Sequence, residues 1–139
     1  MSLYSQFKTD ENLEKTGLVV EYGTNSKGEP IGIRIARAGG SNAAYLKLLE
    51  ASLKPYRRQL QNDLMDNATA EKVMRTVYAK TVVLGWENVE DEKGQPMPFN
   101  VENCIKLFED LPDLFADLKA QAEKSALFRA ELMAVDAKN

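Results

Sequence analysis

Gly17-Leu-Val-Val-Glu-Tyr-Gly23 and Ile31-Gly-Ile-Arg-Ile-Ala-Arg37 carry the two clearest alternations in the chain. In the first, Leu18, Val20 and Tyr22 fall on one face. In the second, Ile31, Ile33 and Ile35 alternate with Gly32, Arg34 and Ala36. A period of two is that of a half-buried strand. Thr24-Asn-Ser-Lys-Gly-Glu-Pro30 between them is dense in turn residues, so the shortest connection is an antiparallel hairpin. Two strands alone are marginal in water. The hairpin must therefore pack on helices or pair with another chain.

Outward from the hairpin the periodicity becomes helical. Residues 1–16 mix Leu3, Tyr4, Phe7 and Leu13 with five charges and read as an arm or short helix. On the other side, Ala38-Gly39-Gly40 ends the β part, and Ser41 or Asn42 can cap a helix. Tyr45, Leu46, Leu49, Leu53, Tyr56, Leu60 and Leu64 then recur at helical spacing. Pro55 falls inside that pattern, which predicts a kink or two abutting helices. Asn67 or Thr69 starts the next helix, with Val73, Val77, Thr81 and Leu84 as its buried face and Gly85 as its stop. Residues 86–99 read as an irregular loop. Asn100 caps a short helix to about Glu109, with Phe99 placed to staple onto Cys104. Pro112 suits the first turn of a last helix, whose stripe is Leu111, Leu114 or Phe115, Leu118, Ala122 and Ala126. The expected architecture is α+β and mostly helical: one domain over residues 1–139. It has a 1–16 arm, a 17–37 hairpin packed on a 41–134 body of four to five helices, and a flexible 135–139 end.

Composition narrows the function classes. The 139 residues are 44% hydrophobic and 28% charged, with a net charge of −3, a length that suits one domain. That balance is too even for a protein that neutralises phosphates, so no nucleic-acid partner is expected. No apolar run approaches the ~20 residues of a spanning helix, and the start lacks the basic and apolar regions of a signal peptide. No membrane partner is expected. The single Cys104 excludes an intramolecular disulfide and fits a reducing cytoplasm. Histidine is absent, which removes the commonest general base and metal ligand together. Charge is also unevenly placed. Residues 40–80 hold seven basic and four acidic side chains, and residues 81–139 hold six basic and twelve acidic. A basic middle beside an acidic end favours head-to-tail contacts between copies, although a merely uneven solvated surface gives the same counts.

The motifs point away from catalysis. Gly23-Thr-Asn-Ser-Lys-Gly28 has the glycines of a phosphate loop, but Glu29 stands where that loop needs lysine, so a turn is the better reading. Gly39-Gly40-Ser41 reads as a strand-to-helix joint more readily than as an anion site. Glu90-Asp91-Glu92 lacks the alternating donors of a calcium loop and reads as a solvated turn. Cys104, with no histidine to activate it, reads as a buried structural thiol. Lys54, Arg57 and Arg58 around Tyr56 read as a solvated face. No catalytic residue, cofactor or metal site emerges. Trp86 is the most informative single side chain, as a plug at the core edge or as an interface anchor.

The order of features resembles the tail assembly chaperones of long-tailed, non-contractile (lambdoid-type) bacteriophages and their prophages. The matching stretches begin with Phe7-Lys-Thr-Asp-Glu-Asn-Leu-Glu14 before Gly17, then Arg34-Ile-Ala-Arg-Ala-Gly-Gly40 with Asn42 and Tyr45. Pro55-Tyr-Arg-Arg58 follows, then Val77-Tyr-Ala79 running into Gly85-Trp-Glu-Asn88. The last are Gly94 through Pro98-Phe99, Leu111-Pro-Asp-Leu-Phe115, Phe128-Arg129 and Lys138-Asn139. Such chaperones bind the tape measure protein, keep it soluble in the host bacterial cytoplasm, self-associate, and are absent from the mature virion. The resemblance further implies a longer form, made by a translational frameshift, whose extension recruits the tail tube protein. Ala-Lys-Asn139 can be encoded so that a run of adenines straddles the three codons, which would allow such a slip. The role needs no active site. Candidate client-binding side chains are Leu3, Tyr4 and Phe7 on the arm, Trp86, and Phe128, Leu132 and Met133 near the C-terminus, where core packing constrains least. A small regulatory or inhibitory adaptor would have a similar composition, and a stable monomer with one defined partner would favour it. A metal- or nucleotide-dependent enzyme would show ligand-dependent melting.

Overall fold

Leu18–Thr24 (β1) and Pro30–Ile35 (β2) form the antiparallel hairpin in the computed structural model, which describes residues 2–128. Asn25 closes its turn: the side-chain oxygen accepts from the backbone N–H groups of Lys27 and Glu29 at 2.9 and 3.0 Å. An asparagine that folds back on its own turn is what the composition of this segment favours.

A third strand departs from the sequence expectation. The helix Asn67–Thr81 (α5) stops before Val82, and Val83–Glu87 (β3) pairs antiparallel with β2. Leu84 and Gly85 are thus strand residues, not the last buried turn and stop of a helix, and the 41–134 stretch is not wholly helical. The physical reason lies on β2. A two-stranded hairpin leaves the second edge of β2 with unpaired N–H and C=O groups, and β3 satisfies them. The β-branched run Thr81-Val82-Val83 favours leaving the helix at that point. Leu18–Ile35–Val83 and Val20–Ile33–Trp86 form cross-strand rows on the face that packs on the helices.

The arm is two short helices, Leu3–Phe7 (α1) and Glu11–Thr16 (α2). Gly17 follows with φ +82, and a Cβ there would lie 2.6 Å from the Ile35 carbonyl oxygen, so only glycine lets β1 start so close to β2. Asn42 caps Ala43–Leu53 (α3), and its buried amide also donates to the carbonyls of Arg37 and Thr81 at 2.9 and 3.0 Å. Pro55 breaks the pattern as expected: a 3-10 turn, Lys54–Tyr56, joins α3 to Arg57–Gln61 (α4). Asn100 caps Val101–Asp110 (α6), and Pro112 opens Pro112–Glu123 (α7).

The core lies between the sheet and helices α3, α5, α6 and α7. Tyr78 of α5 sits at its centre, edge-on to Tyr45 and Phe115, while Phe108 stacks on Phe115 with centroids 4.7 Å apart. Burying this many aromatic rings accounts for much of the apolar stabilisation, at ~25 cal/mol per Å² removed from water. Several members of the expected stripes stay outside. Leu46, Leu60, Leu64, Leu84 and Leu111 are exposed. Helical spacing marks a face, but among the described residues no element covers α4, and Leu111 caps α7 from outside.

Candidate functional site

Leu3, Tyr4 and Phe7 are 72%, 81% and 61% exposed. Together on α1 they line one side of an open groove of about 1010 Å³, whose other residues include Lys8, Glu11 and Ser41. Ser2 caps α1 by accepting from the Ser5 N–H at 3.1 Å. A five-residue helix with no buried side chain is held by the chain around it rather than by its own packing.

What holds the groove's floor is a buried carboxylate. The Glu14 side chain is 2% exposed and faces Arg37, whose Nη1 donates at 2.6 Å. Thr9 Oγ1 and Ser41 Oγ donate to its other oxygen at 2.9 and 3.1 Å. One carboxylate therefore ties together the arm, the end of β2 and the start of α3. Burial alone would raise the Glu14 pKa, but the hydrogen bonds from Arg37, Thr9 and Ser41 and the Arg37 charge outweigh it and hold the group below its ordinary value. Gly40, at φ +54, sits against this cluster, and a Cβ there would run into Glu14 Oε2. Sequence reasoning missed the cluster. Glu14 reads as an ordinary helix charge, and only the fold brings residues 9, 14, 37 and 41 together.

The remaining candidates separate. Trp86 lies in β3, half-buried, edge-on to Phe99 with centroids 5.1 Å apart, and its Nε1 donates to the Met97 carbonyl at 2.8 Å. That geometry is a plug between the sheet and the 88–99 loop, with the indole N–H satisfied internally. Phe128 is a correction: it is fully buried and cannot belong to an exposed client surface. A 3-10 turn, Ser125–Phe128, returns the chain against α2, and the Phe128 carbonyl accepts from the Asp10 N–H at 2.7 Å. Leu132, Met133 and the 135–139 end lie outside the described residues.

Of the other motifs, Gly23-Thr24 ends β1 and Asn25–Gly28 makes the hairpin turn. Glu90 reaches across to that turn, accepting from Ser26 N–H and Oγ at 2.7 Å each. These bonds lower its pKa. Cys104 is buried, and burial pushes its thiol up to about 12, which leaves negligible thiolate at neutral pH. Among the described residues no three His, Cys, Asp or Glu side chains are placed to hold a metal ion, and no helix is long and apolar enough to cross a membrane.

No curated protein and no solved structure matches the chain. One family does, described as YdaY prophage protein, over residues 40–139. The match starts at Gly40, so it takes in the helical body with β3 and leaves out the arm and the hairpin. It covers well over half of the 139 residues, and this chain is therefore a member of the YdaY prophage protein family.

Proposed function

We propose that this prophage protein is a tail assembly chaperone that binds the tape measure protein, a long helical client, and keeps it soluble until tail tube subunits assemble around it. The observation that carries the reading is the arm: three large apolar side chains stand exposed beside an open groove. Exposed apolar patches of this kind mark interaction sites, and an amphipathic client helix can lay its apolar face along one. Membership in a prophage family and the resemblance along nearly the whole chain agree with it. The role requires no catalysis and no cofactor. It places the protein in the host cytoplasm and not in the finished virion, with a frameshifted longer form recruiting tail tube protein.

Co-expression with the tape measure protein of the same prophage tests the proposal. The client should move from the insoluble to the soluble fraction and co-purify with the chaperone. Replacing Tyr4 and Phe7 with serine should weaken capture while melting stays almost unchanged. A client equally insoluble with and without the chaperone would overturn the reading. A collapse in melting would show that these side chains support the fold instead.

A further inference from the structure

Every residue of α4 is exposed, and the helix makes its contacts chiefly with the 3-10 turn before it. This protrusion carries Lys54, Arg57 and Arg58, none of which is in an ion pair among the described residues. Leu60 and Leu64 beside them are 46% and 72% exposed. Among the described residues nothing covers this cationic knob with its apolar tip.

The matching surface lies elsewhere in the fold. Between the 89–97 loop and the α6–α7 junction is a depression of about 440 Å³ with Met97, Leu107 and Leu111 in its lining. Its carboxylates are Glu90, Asp91, Glu92 and Asp110, against the two cations Lys93 and Lys106. Lys106 is paired with Asp110 at 3.2 Å, and Glu90 is engaged with Ser26. Glu92, like the exposed Glu109 and Asp113 next to the depression, is in no ion pair among the described residues; Lys106 feels the charges of Glu92 and Glu109, but the carboxylates outnumber the cations, so the local field is negative.

We propose that a second copy of this chain seats its α4 knob in this depression, leucines on the apolar lining and Arg57 and Arg58 against Glu92 and Asp110. Opposite charge selects the pairing and burial of Leu60 and Leu64 holds it. Among the described residues no ion pair joins the two surfaces within one copy. Because the knob and the depression are different surfaces, the proposed contact is head-to-tail, and repeated from copy to copy it closes a ring or extends a filament. It does not depend on what client the arm binds.

Charge exchange tests it with the full chain. Mass is followed by light scattering from about 10 μM to about 1 mM, at low salt and at about 0.5 M salt, where screening is complete within a few Å. The native protein should gain mass with concentration, and less so in high salt. Arg57→Glu with Arg58→Glu should weaken association at least tenfold, as should Glu92→Lys with Asp110→Lys. Both pairs are on the surface, so circular dichroism and melting should stay native. An equimolar mixture of the two variants should regain mass, because the reversed knob then meets a reversed depression. A native protein of constant monomer mass, variants that associate like the native chain, or a mixture that regains nothing would each overturn the proposal. Recovery by the mixture cannot come from a misfolded variant, and a client seated in the depression would leave the native chain monomeric.

Discussion

Glu14→Ala is the substitution whose outcome the structure determines most sharply. It removes a carboxylate that accepts from Arg37, Thr9 and Ser41 at 2.6, 2.9 and 3.1 Å and whose side chain is 2% exposed. Breaking a buried ion pair by deleting one partner costs ~3–5 kcal/mol, because the other charge stays behind. The Arg37 side chain is 21% exposed, so water reaches the orphaned guanidinium and the lower end applies, about 3 kcal/mol. For a domain of this length that is a fall in Tm of roughly 10 °C. Glu14→Gln keeps the shape and loses the charge, and it adds a pH test. The folded carboxyl titrates below its ordinary value of 4.5. The charge therefore stabilises fully above that value, and its contribution disappears as the pH falls through the folded pKa. The gap between native and Glu14→Gln stabilities should be constant near neutrality and shrink as the solution is acidified through 4.5 and below. Urea unfolding followed by the single tryptophan, Trp86, reads both quantities. A gap under about 0.5 kcal/mol at pH 7, or one that does not change with acid, would refute the claim that this carboxylate locks the arm to the body.

Gly40→Ala places a methyl group against Glu14 Oε2 at a φ of +54, and should cost about 1–3 kcal/mol by urea unfolding. Combined with Glu14→Ala its cost should shrink, since the clash partner is gone. Phe128→Ala empties a fully buried site and should destabilise by ~3–5 kcal/mol, where an exposed client residue would cost almost nothing. Sequencing the codons for residues 130–139 should show a slippery adenine run with an overlapping frame one base back; codons that break the run, with no second frame, would remove the frameshifted form and leave the chaperone reading intact.

Local signals made much of this fold legible. The alternation in 18–22 and 31–35 gave the hairpin its register, and Asn42, Asn100, Pro55 and Pro112 sit where caps, break and helix start were expected. β3 was not legible, because Val73, Val77, Thr81 and Leu84 keep helical spacing right into the strand. The competing instruction came from the open edge of β2, about fifty residues away in sequence. The arm's exposed Leu3, Tyr4 and Phe7 were found from their position near a chain end, and the same argument failed for Phe128. The difference is tertiary: the Ser125–Phe128 turn meets α2, while α1 buries no side chain. Glu14 illustrates the limit again, since its partners Thr9, Arg37 and Ser41 come from two separate connections of the chain.

The central claim, that the exposed arm takes up the client, is tested most directly by photo-crosslinking. A photoreactive residue at Tyr4, in chaperone co-expressed with the tape measure protein, should give a covalent adduct of the two chains on illumination. The same residue at buried Tyr78, if the variant folds, should give none. A soluble complex that forms without any adduct from position 4 would contradict the assignment of the arm, and the absence of any complex would contradict the chaperone account itself.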